Sequence, residues 1–181
     1  MKFLIKLFGY LFGIGAVLGL LVAAGVWLFL QDMSEDLPDY TALKNYEPPV
    51  MTRVHAADGQ LMAEYAKERR LFLPIQAVPD LLKQAYISAE DKNFYSHLGI
   101  DPEGIARAAV AYVRNYGSGR RPQGASTITQ QVAKNFLLTN EVSMERKVKE
   151  AILALRIEQA YTKDEILELY LNEIYLGVGA Y

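Results

Sequence analysis

The stretch Ala89-Glu90-Asp91-Lys92-Asn93-Phe94-Tyr95-Ser96-His97-Leu98-Gly99 joins two segments that both have helical periodicity. It places two adjacent carboxylates, Glu90 and Asp91, at the end of the first segment. An acid pair followed by an aromatic residue and a histidine is suited to acid–base chemistry. Two neighbouring carboxylates alone are more typical of a solvated helix end. The rest of the chain must therefore decide between a site and a surface.

Five helices are predicted after residue 77, so the fold is predicted to be mainly α. Their starts are Pro79, Asp101-Pro102, Thr127-x-x-Gln130, Ser143 and Thr162-x-x-Glu165, and two of these have the form of a capping box. A mobile basic loop is predicted over residues 115–124, which are rich in glycine and arginine. Three apolar faces are predicted to be buried. They are Leu81, Leu82, Ala85, Tyr86 and Ala89 on the first helix; Ile105, Ala108, Ala109, Tyr112 and Val113 on the second; and Ile166, Leu167, Leu169, Leu171, Ile174 and Leu176 on the last.

The helix that starts at Ser143 has two candidate inner faces, because residues advance about 100° each. A purely apolar stripe is predicted to face the core, and it contains Met144, Val148, Ala151, Ile152 and Leu155. A mixed face combines Arg146, Lys147 and Glu150 with Leu153, Ala154 and Ile157. Charges among aliphatic residues suit a cleft wall. Surface ion pairs worth about 0.2–0.5 kcal/mol each explain them equally well.

Hydroxyl and amide side chains are concentrated between Ser126 and Gln131, where a helix is predicted to begin just after a glycine. Free N–H groups and hydroxyls at a helix start can bind an anion or a sugar. Ordinary capping explains Thr127 and Gln130, but it does not explain Gln131 or Lys134.

The N-terminal region is predicted to anchor the chain in a membrane. Residues 8–30 contain no charged side chain and are long enough to cross about 30 Å of hydrocarbon. Lys2 and Lys6 precede the span, so residues 1–7 are predicted to be a cytoplasmic tail and the remainder to lie outside. A cleaved signal peptide is the alternative, but no small-x-small site follows the apolar run. Residues 31–49 are predicted to be an extended spacer.

A small β element is predicted over residues 50–76. Asp58-Gly59 separates Val50–Val54 from Leu61–Tyr65, which is typical of a hairpin. Leu71–Ile75 is a candidate third strand. No chemistry is predicted here.

Composition excludes several classes of function. The 181 residues carry a formal net charge of −2 and contain no cysteine. Nucleic acid is not expected as a partner, because no global positive charge and no nucleic-acid-binding motif is present. Disulfides and thiolate metal sites are excluded.

Four motifs then make the chain resemble the peptidoglycan glycosyltransferase (transglycosylase) domain of class A penicillin-binding proteins. They are Glu90-Asp91-x-x-Phe94-x-x-His97-x-Gly99, Gly124-x-Ser126-Thr127-Ile128-Thr129-Gln130-Gln131, Arg146-Lys147-x-x-Glu150 and Ile166-Leu167-Glu168-x-Tyr170-Leu171-Asn172. The resemblance covers about residues 48–181, and their order and spacing make it highly specific. It implies a lysozyme-like helical domain over residues 77–181, and a membrane-anchored enzyme that polymerises lipid II.

The resemblance also implies roles for individual residues. Glu90 is similar to the general base, and Glu150 to the second glutamate that helps to hold the departing undecaprenyl pyrophosphate. The transfer would invert the anomeric carbon of the growing glycan chain. Matching residues expected to bind substrate are Asp91, Phe94, His97, Ser126, Thr127, Gln131, Lys134, Asn135, Arg146 and Lys147. A divalent cation, Mg²⁺ or Mn²⁺, is a candidate at the pyrophosphate, with Glu150 as its ligand, and no other cofactor is implied.

The family's fifth motif is absent before the chain ends at Tyr181. We therefore expect this chain to be a fragment, followed in the whole protein by a penicillin-binding transpeptidase domain. The expected location is the cytoplasmic (inner) membrane, single-pass, with the catalytic domain on the periplasmic side. Other cell-wall synthesis proteins are candidate partners. Two other functions compete: a lysozyme-like glycan hydrolase and a membrane-tethered interaction module without catalysis. The cations near Glu150 disfavour the hydrolase, because hydrolysis leaves no pyrophosphate to hold.

Overall fold

The computed structural model describes residues 2–46, 52–65, 72–117, 119, 124–139 and 141–174. The chain divides into two units, residues 1–37 and 38–181. The described ranges contain six α-helices and one two-stranded antiparallel sheet. The prediction of a mainly α protein with a small hairpin, preceded by one long apolar helix, is confirmed.

The first unit is a single helix, α1 (Lys2–Glu35). Its stretch Gly9–Glu35 has a mean hydropathy of 2.3 in its most apolar window, and none of that window is buried. By length and composition it could cross a membrane. The helix continues five residues past the predicted end at residue 30.

The start of the second unit is folded where an extended spacer was predicted. A 3₁₀ helix spans Tyr40–Asn45, and Leu43 within it is buried. The hydroxyl of Tyr161 donates to the main-chain carbonyl at the start of this helix over 3.0 Å. The ring of Tyr46 lies edge-on to Phe136, with 4.6 Å between centroids. The expectation of a uniformly extended spacer is therefore wrong, because its apolar side chains pack on the helical body.

The hairpin forms as predicted within the described residues, with β1 (Thr52–His55) antiparallel to β2 (Leu61–Tyr65). Gly59 has φ +83° in the turn, a conformation that glycine adopts without strain. The predicted first residues of β1, Val50 and Met51, lie outside the described residues.

The predicted third strand is absent from its described part. After Leu73 the chain enters a 3₁₀ helix, Ile75–Ala77. The main-chain N–H and C=O of Leu73 both bond to the side-chain amide of Asn172 at 2.9 Å, and the Ile75 N–H donates to Glu168 over 2.7 Å. Side chains of a helix thus satisfy the backbone groups that a neighbouring strand would have bound.

The next two helices, α2 (Asp80–Glu90) and α3 (Pro102–Arg114), expose the faces predicted to be buried. Leu81 is 81% exposed and Val113 is 74% exposed. Only Gly104 of the two helices is buried. Periodicity correctly predicted the helices, but it could not show that little described structure covers them.

Three further helices form what we call the three-helix body: α4 (Ile128–Leu137), α5 (Met144–Ala160) and α6 (Lys163–Glu173). Both predicted capping boxes are present, Thr127 with Gln130 and Thr162 with Glu165. The body contributes most of the described core. The buried apolar residues of its helices are Ile128, Val132, Ala133, Leu153, Ala154, Ile157, Ile166, Leu167 and Tyr170.

The predicted core face of α5 is wrong. Met144 is 80% exposed, whereas Leu153, Ala154 and Ile157 on the mixed face are fully buried. The mixed face packs against α4 and α6. Its residues in the first two turns of α5, Glu150 among them, line the cleft. On α6 the residues predicted to be buried divide similarly. Ile166 and Leu167 are buried, Leu169, Leu171 and Ile174 are half-buried, and Leu176 lies outside the described residues.

Candidate functional site

One cleft of about 750 Å³ brings together residues from α2, α3, α4 and α5. Seven of the predicted site residues line it. These are Glu90, Ser126, Gln131, Lys134, Arg146, Lys147 and Glu150. The cleft also contains Lys92, Arg107 and Gln130, which sequence reasoning had not assigned to a site.

The carboxylate of Glu90 is the acid that reaches into the cleft from α2. Glu90 is the last residue of that helix, and its side chain is exposed. The side-chain amide of Gln131, on α4, donates to Glu90 Oε2 over 3.0 Å. Gln131 therefore links the acid to the three-helix body, which explains an amide that ordinary capping had left unexplained.

Glu150 carries the second carboxylate, and only 1% of its surface is exposed. Arg146 pairs with Oε1 and Lys147 Nζ with Oε2, the latter at 2.6 Å. Lys147 also donates to the hydroxyl of Ser126 over 3.1 Å. Solvated surface pairs therefore do not explain these residues. A carboxylate buried without partners would cost several kcal/mol, so the two cations are required where Glu150 lies.

Lys147 lies at the most positive part of the cleft. Burial, followed by the positive charges of Arg146 and Lys134, lowers the pKa of the Lys147 ammonium below its ordinary value. An ammonium that is partly desolvated and lies close to other cations gains from an added anion. The cluster is thus suited to a polyanionic group such as a phosphate or pyrophosphate.

Asp91 and His97 lie beneath the cleft rather than in its lining. Asp91 Oδ2 accepts from His97 Nε2 at 2.9 Å and from the main-chain N–H of Ile128 at 3.0 Å. The N–H of Gly99 donates to His97 Nδ1 over 3.0 Å. Because Nδ1 is an acceptor, Nε2 carries the proton, which fixes the tautomer. Asp91 therefore binds the start of α4 and joins it to the end of α2.

Gly99 fixes the loop between α2 and α3 against α5. Its φ is +91°, and a Cβ there would lie 2.7 Å from the main-chain carbonyl atoms of Ala154. The hydroxyl of Thr127 donates to the Gly99 carbonyl oxygen over 2.6 Å. Phe94, fully buried in the same loop, packs edge-on to His97. A side chain at position 99 would displace the loop that carries Asp91.

Five of the residues predicted to bind substrate do not line this cleft. Four are buried: Asp91, Phe94, His97 and Thr127. They form the packing and hydrogen bonds that position Glu90 and the start of α4. The fifth, Asn135, is exposed on α4 but does not line the cleft.

The residues that line the cleft do not fit a protein-held divalent cation. Among the described residues no group of three or more histidine, cysteine, aspartate or glutamate side chains could hold a metal ion. Both oxygens of Glu150 are already paired with cationic side chains. The expectation of Mg²⁺ or Mn²⁺ bound through Glu150 therefore finds no support in this donor set.

Lys92 and Arg107 add positive charge to the cleft from the side of α3. Lys92 Nζ lies 3.3 Å from Glu103 Oε1, and both side chains are largely exposed. A signal for both residues was present in the sequence. Lys92 follows Glu90 by two residues, and Arg107 lies on the helix that begins just after the first motif. Neither residue was assigned to a site, because a lone cationic side chain usually faces solvent.

The chain is similar to known proteins over most of its length. The family model described as transglycosylase matches residues 58–181. Transglycosylase domains have the lysozyme-like helical fold that the resemblance implied. Penicillin-binding protein 1A of Rickettsia conorii is 57% identical over 163 residues, which are 90% of this chain and 21% of that protein. Penicillin-binding protein 1A of Escherichia coli is 46% identical over 162 residues, 90% of this chain and 19% of that protein.

A third relative gives the same result. Penicillin-binding protein 1A of Aquifex aeolicus is 45% identical over 167 residues, which cover 91% of this chain and 23% of that protein. The chain spans about a fifth of the length of these relatives. The family match covers well over half of the chain, including the cleft and both of its glutamates. The chain belongs to the transglycosylase family.

Proposed function

We propose that this chain is the glycosyltransferase part of a membrane-anchored peptidoglycan synthase that polymerises lipid II. One observation carries the proposal. A single cleft contains an exposed carboxylate, Glu90, and a separate cation cluster built around the buried Glu150. A base and a site for an anionic leaving group are the two requirements of inverting transfer from a sugar pyrophosphate.

Glu90 is the base in this mechanism. Its carboxylate accepts the proton of the sugar 4-hydroxyl of the incoming lipid II. The oxygen of that hydroxyl forms a bond to the anomeric carbon of the growing chain, and the bond from this carbon to undecaprenyl pyrophosphate breaks. Attack from the face opposite the leaving group inverts the anomeric carbon. Gln131, which holds Glu90 in the free protein, keeps the carboxylate at the cleft.

The leaving pyrophosphate needs positive charge more than it needs a proton. Lys134, Arg146 and Lys147 supply that charge within the cleft. Cations fixed in place before the reaction stabilise developing negative charge without reorganisation. Glu150 holds Arg146 and Lys147 in position and is not itself required to contact substrate.

A glycan hydrolase is the weaker alternative. Hydrolysis of a glycan needs an acid and a water site, but it produces no anion that would use five cationic side chains. The cleft residues Lys92, Arg107, Lys134, Arg146 and Lys147 are better explained by a pyrophosphate-linked substrate. A non-catalytic interaction module would not require the costly burial of Glu150.

A lipid-linked substrate also explains the apolar surfaces. Helix α1 would anchor the protein in the cytoplasmic membrane, and its long apolar stretch supports this role. Residues 1–7 would lie inside the cell and the catalytic unit on the periplasmic side. Exposed apolar residues of α3, such as Val110 and Val113, would face the lipid surface. Arg107 lines both the cleft and a groove along α3, so this helix lies next to the place where the lipid-linked substrate would bind. The relatives are named as penicillin-binding proteins, and we propose that the whole protein also has a penicillin-binding transpeptidase domain. We propose other cell-wall synthesis proteins as its partners.

The test compares two reactions of the intact, detergent-solubilised protein. We expect it to polymerise lipid II into glycan strands, and not to release fragments from finished glycan. Glu90→Gln should abolish polymerisation. Glu145→Gln is the matched control, because Glu145 is exposed and pairs with Lys149 outside the cleft. Release of glycan fragments without polymerisation would favour the hydrolase, and full activity of Glu90→Gln would eliminate Glu90 as the base.

A further inference from the structure

The hydroxyl of Tyr170 is a buried polar group that the mechanism above does not use. Tyr170 is only 1% exposed, on the inner face of α6. Its hydroxyl has no hydrogen-bond partner among the described residues, and no other buried side-chain polar atom there shares this property. Buried hydroxyls are normally paired, because losing water without gaining a partner is unfavourable. This unpaired hydroxyl therefore calls for an explanation.

The position of Tyr170 relates it to Glu90. Its ring lies edge-on to the ring of Tyr86, with 6.1 Å between centroids. Tyr86 precedes Glu90 by four residues on α2, and side chains four apart share one face of a helix. Burial, then the negative charge of Glu90 and the neighbouring Tyr86, raises the pKa of the Tyr170 hydroxyl. The phenol thus stays protonated and can only act towards a carboxylate as a donor.

The free protein gives Glu90 a different partner. Gln131 donates to one oxygen of the Glu90 carboxylate, and α4, which carries Gln131, packs directly on α6, which carries Tyr170. Glu90 is therefore held by a surface amide, while a donor is present on the buried side without an acceptor. Because Tyr170 packs on Tyr86, one helical turn before Glu90, rotation of the Glu90 side chain towards α6 is the movement that would bring its carboxylate to this donor.

We propose that Tyr170 is a positioning residue for Glu90, whose carboxylate accepts a hydrogen bond from the Tyr170 hydroxyl when substrate occupies the cleft. One oxygen of Glu90 then faces the sugar hydroxyl as the base, and the other is fixed by Tyr170. The inference rests on the proposed transferase function, since it concerns the base of that reaction. It explains a hydroxyl that is unfavourable in the free protein, because its partner arrives only with substrate.

Tyr170→Phe tests the inference, because it removes the hydroxyl and keeps the ring. In the intact, detergent-solubilised protein we expect kcat for lipid II polymerisation to fall about 10- to 100-fold, as for the loss of one hydrogen bond to a charged group, with KM within about twofold. We expect the melting temperature of the free protein to rise by a few degrees, since an unpaired buried hydroxyl is lost.

The control is Tyr161→Phe, whose hydroxyl is paired with main-chain carbonyls in the free protein. It should lower the melting temperature and leave kcat unchanged. For Tyr170→Phe, a fall in kcat without a fall in melting temperature supports the inference. An unchanged kcat, or a kcat that falls together with the melting temperature, overturns it. If the wild-type protein itself makes no polymer, the proposed function fails instead.

Discussion

The two sides of the cleft differ in how they are built. The three-helix body presents Glu150 and its cations from a fully packed core. The other side is the α2–α3 lobe, residues 80–114, which carries Glu90 and exposes the apolar faces of its helices. The buried residues Asp91, Phe94 and His97, in the loop between its two helices, attach this lobe to the three-helix body. The three-helix body thus provides most of the stability and of the leaving-group binding. The α2–α3 lobe provides the base and the apolar surface. Variants on the two sides test this division, beginning with the strongest.

Glu90→Gln should separate chemistry from stability most clearly. Loss of a general base typically costs about 10²- to 10⁴-fold in rate. Because Glu90 is exposed and its main described partner is one amide, the melting temperature should stay nearly unchanged. Polymerisation rate and thermal unfolding measured on the same sample check both. A large fall in melting temperature would mean that the lobe also carries stability.

Leu153→Ala should destabilise the fold far more than Leu81→Ala. Leu153 is fully buried in the three-helix body, so its truncation should cost about 2–5 kcal/mol of unfolding free energy. Leu81 is 81% exposed on α2, so its truncation should cost less than about 0.5 kcal/mol. Denaturant unfolding of both variants gives the comparison. Equal costs would contradict the division between body and lobe.

Lys147→Ala should weaken transfer without removing the base. Loss of a charge-assisted contact to phosphate is worth about 1.5–3 kcal/mol, which corresponds to roughly 10- to 100-fold in kcat/KM. Lys147→Arg should retain most activity, because the guanidinium also binds phosphate. Unchanged kinetics in Lys147→Ala would make Lys147 a partner of Glu150 alone.

The same lysine predicts a pH dependence. Burial and the charges of Arg146 and Lys134 lower the pKa of the Lys147 ammonium in the free protein. Only the charged form attracts pyrophosphate, so kcat/KM should fall as pH rises through this lowered pKa. Arginine stays charged over that range, and Lys147→Arg should therefore move the basic limb of the profile to higher pH. If the basic limb of the profile does not move, its pH dependence comes from a group other than Lys147.

Val113→Glu should have the smallest effect. Val113 is 74% exposed on α3, so a charge there should leave the fold intact. If α3 faces a lipid surface, polymerisation of vesicle-bound lipid II should fall severalfold, while the rate in detergent changes little. The matched control is Val142→Glu, at an exposed valine outside α3. Equal effects of the two variants would remove α3 as a membrane contact.

Local signals predicted the helices better than their packing. The capping boxes at Thr127 and Thr162 defined helix starts correctly, because a side chain and its own backbone are enough to form them. The core face of α5 was wrong because both faces contain aliphatic residues, and the choice depends on α4 and α6. Its charged residues fitted a cleft wall and a solvated surface equally well, and Glu150 is buried with two cations beside it.

The motif residues divide into those that line the cleft and those that lie beneath it. Glu90 and Lys147 line the cleft, as expected from the resemblance. Asp91 and His97 belong to the same motif but lie beneath it, bonded to each other and to the start of α4. A motif records which residues are needed together. Whether a residue touches substrate or holds another residue follows only from the tertiary contacts.

Glu150 has a consequence for how the cleft responds to ionic strength. Its carboxylate serves as an internal counter-ion that neutralises one of the two positive charges of Arg146 and Lys147, so these cations recruit fewer anions from solution before substrate arrives. An incoming pyrophosphate then displaces few dissolved ions. We expect the KM for lipid II to depend more weakly on salt concentration than five uncompensated cations would require. In Glu150→Gln that internal counter-ion is gone, and the dependence of KM on salt should become steeper.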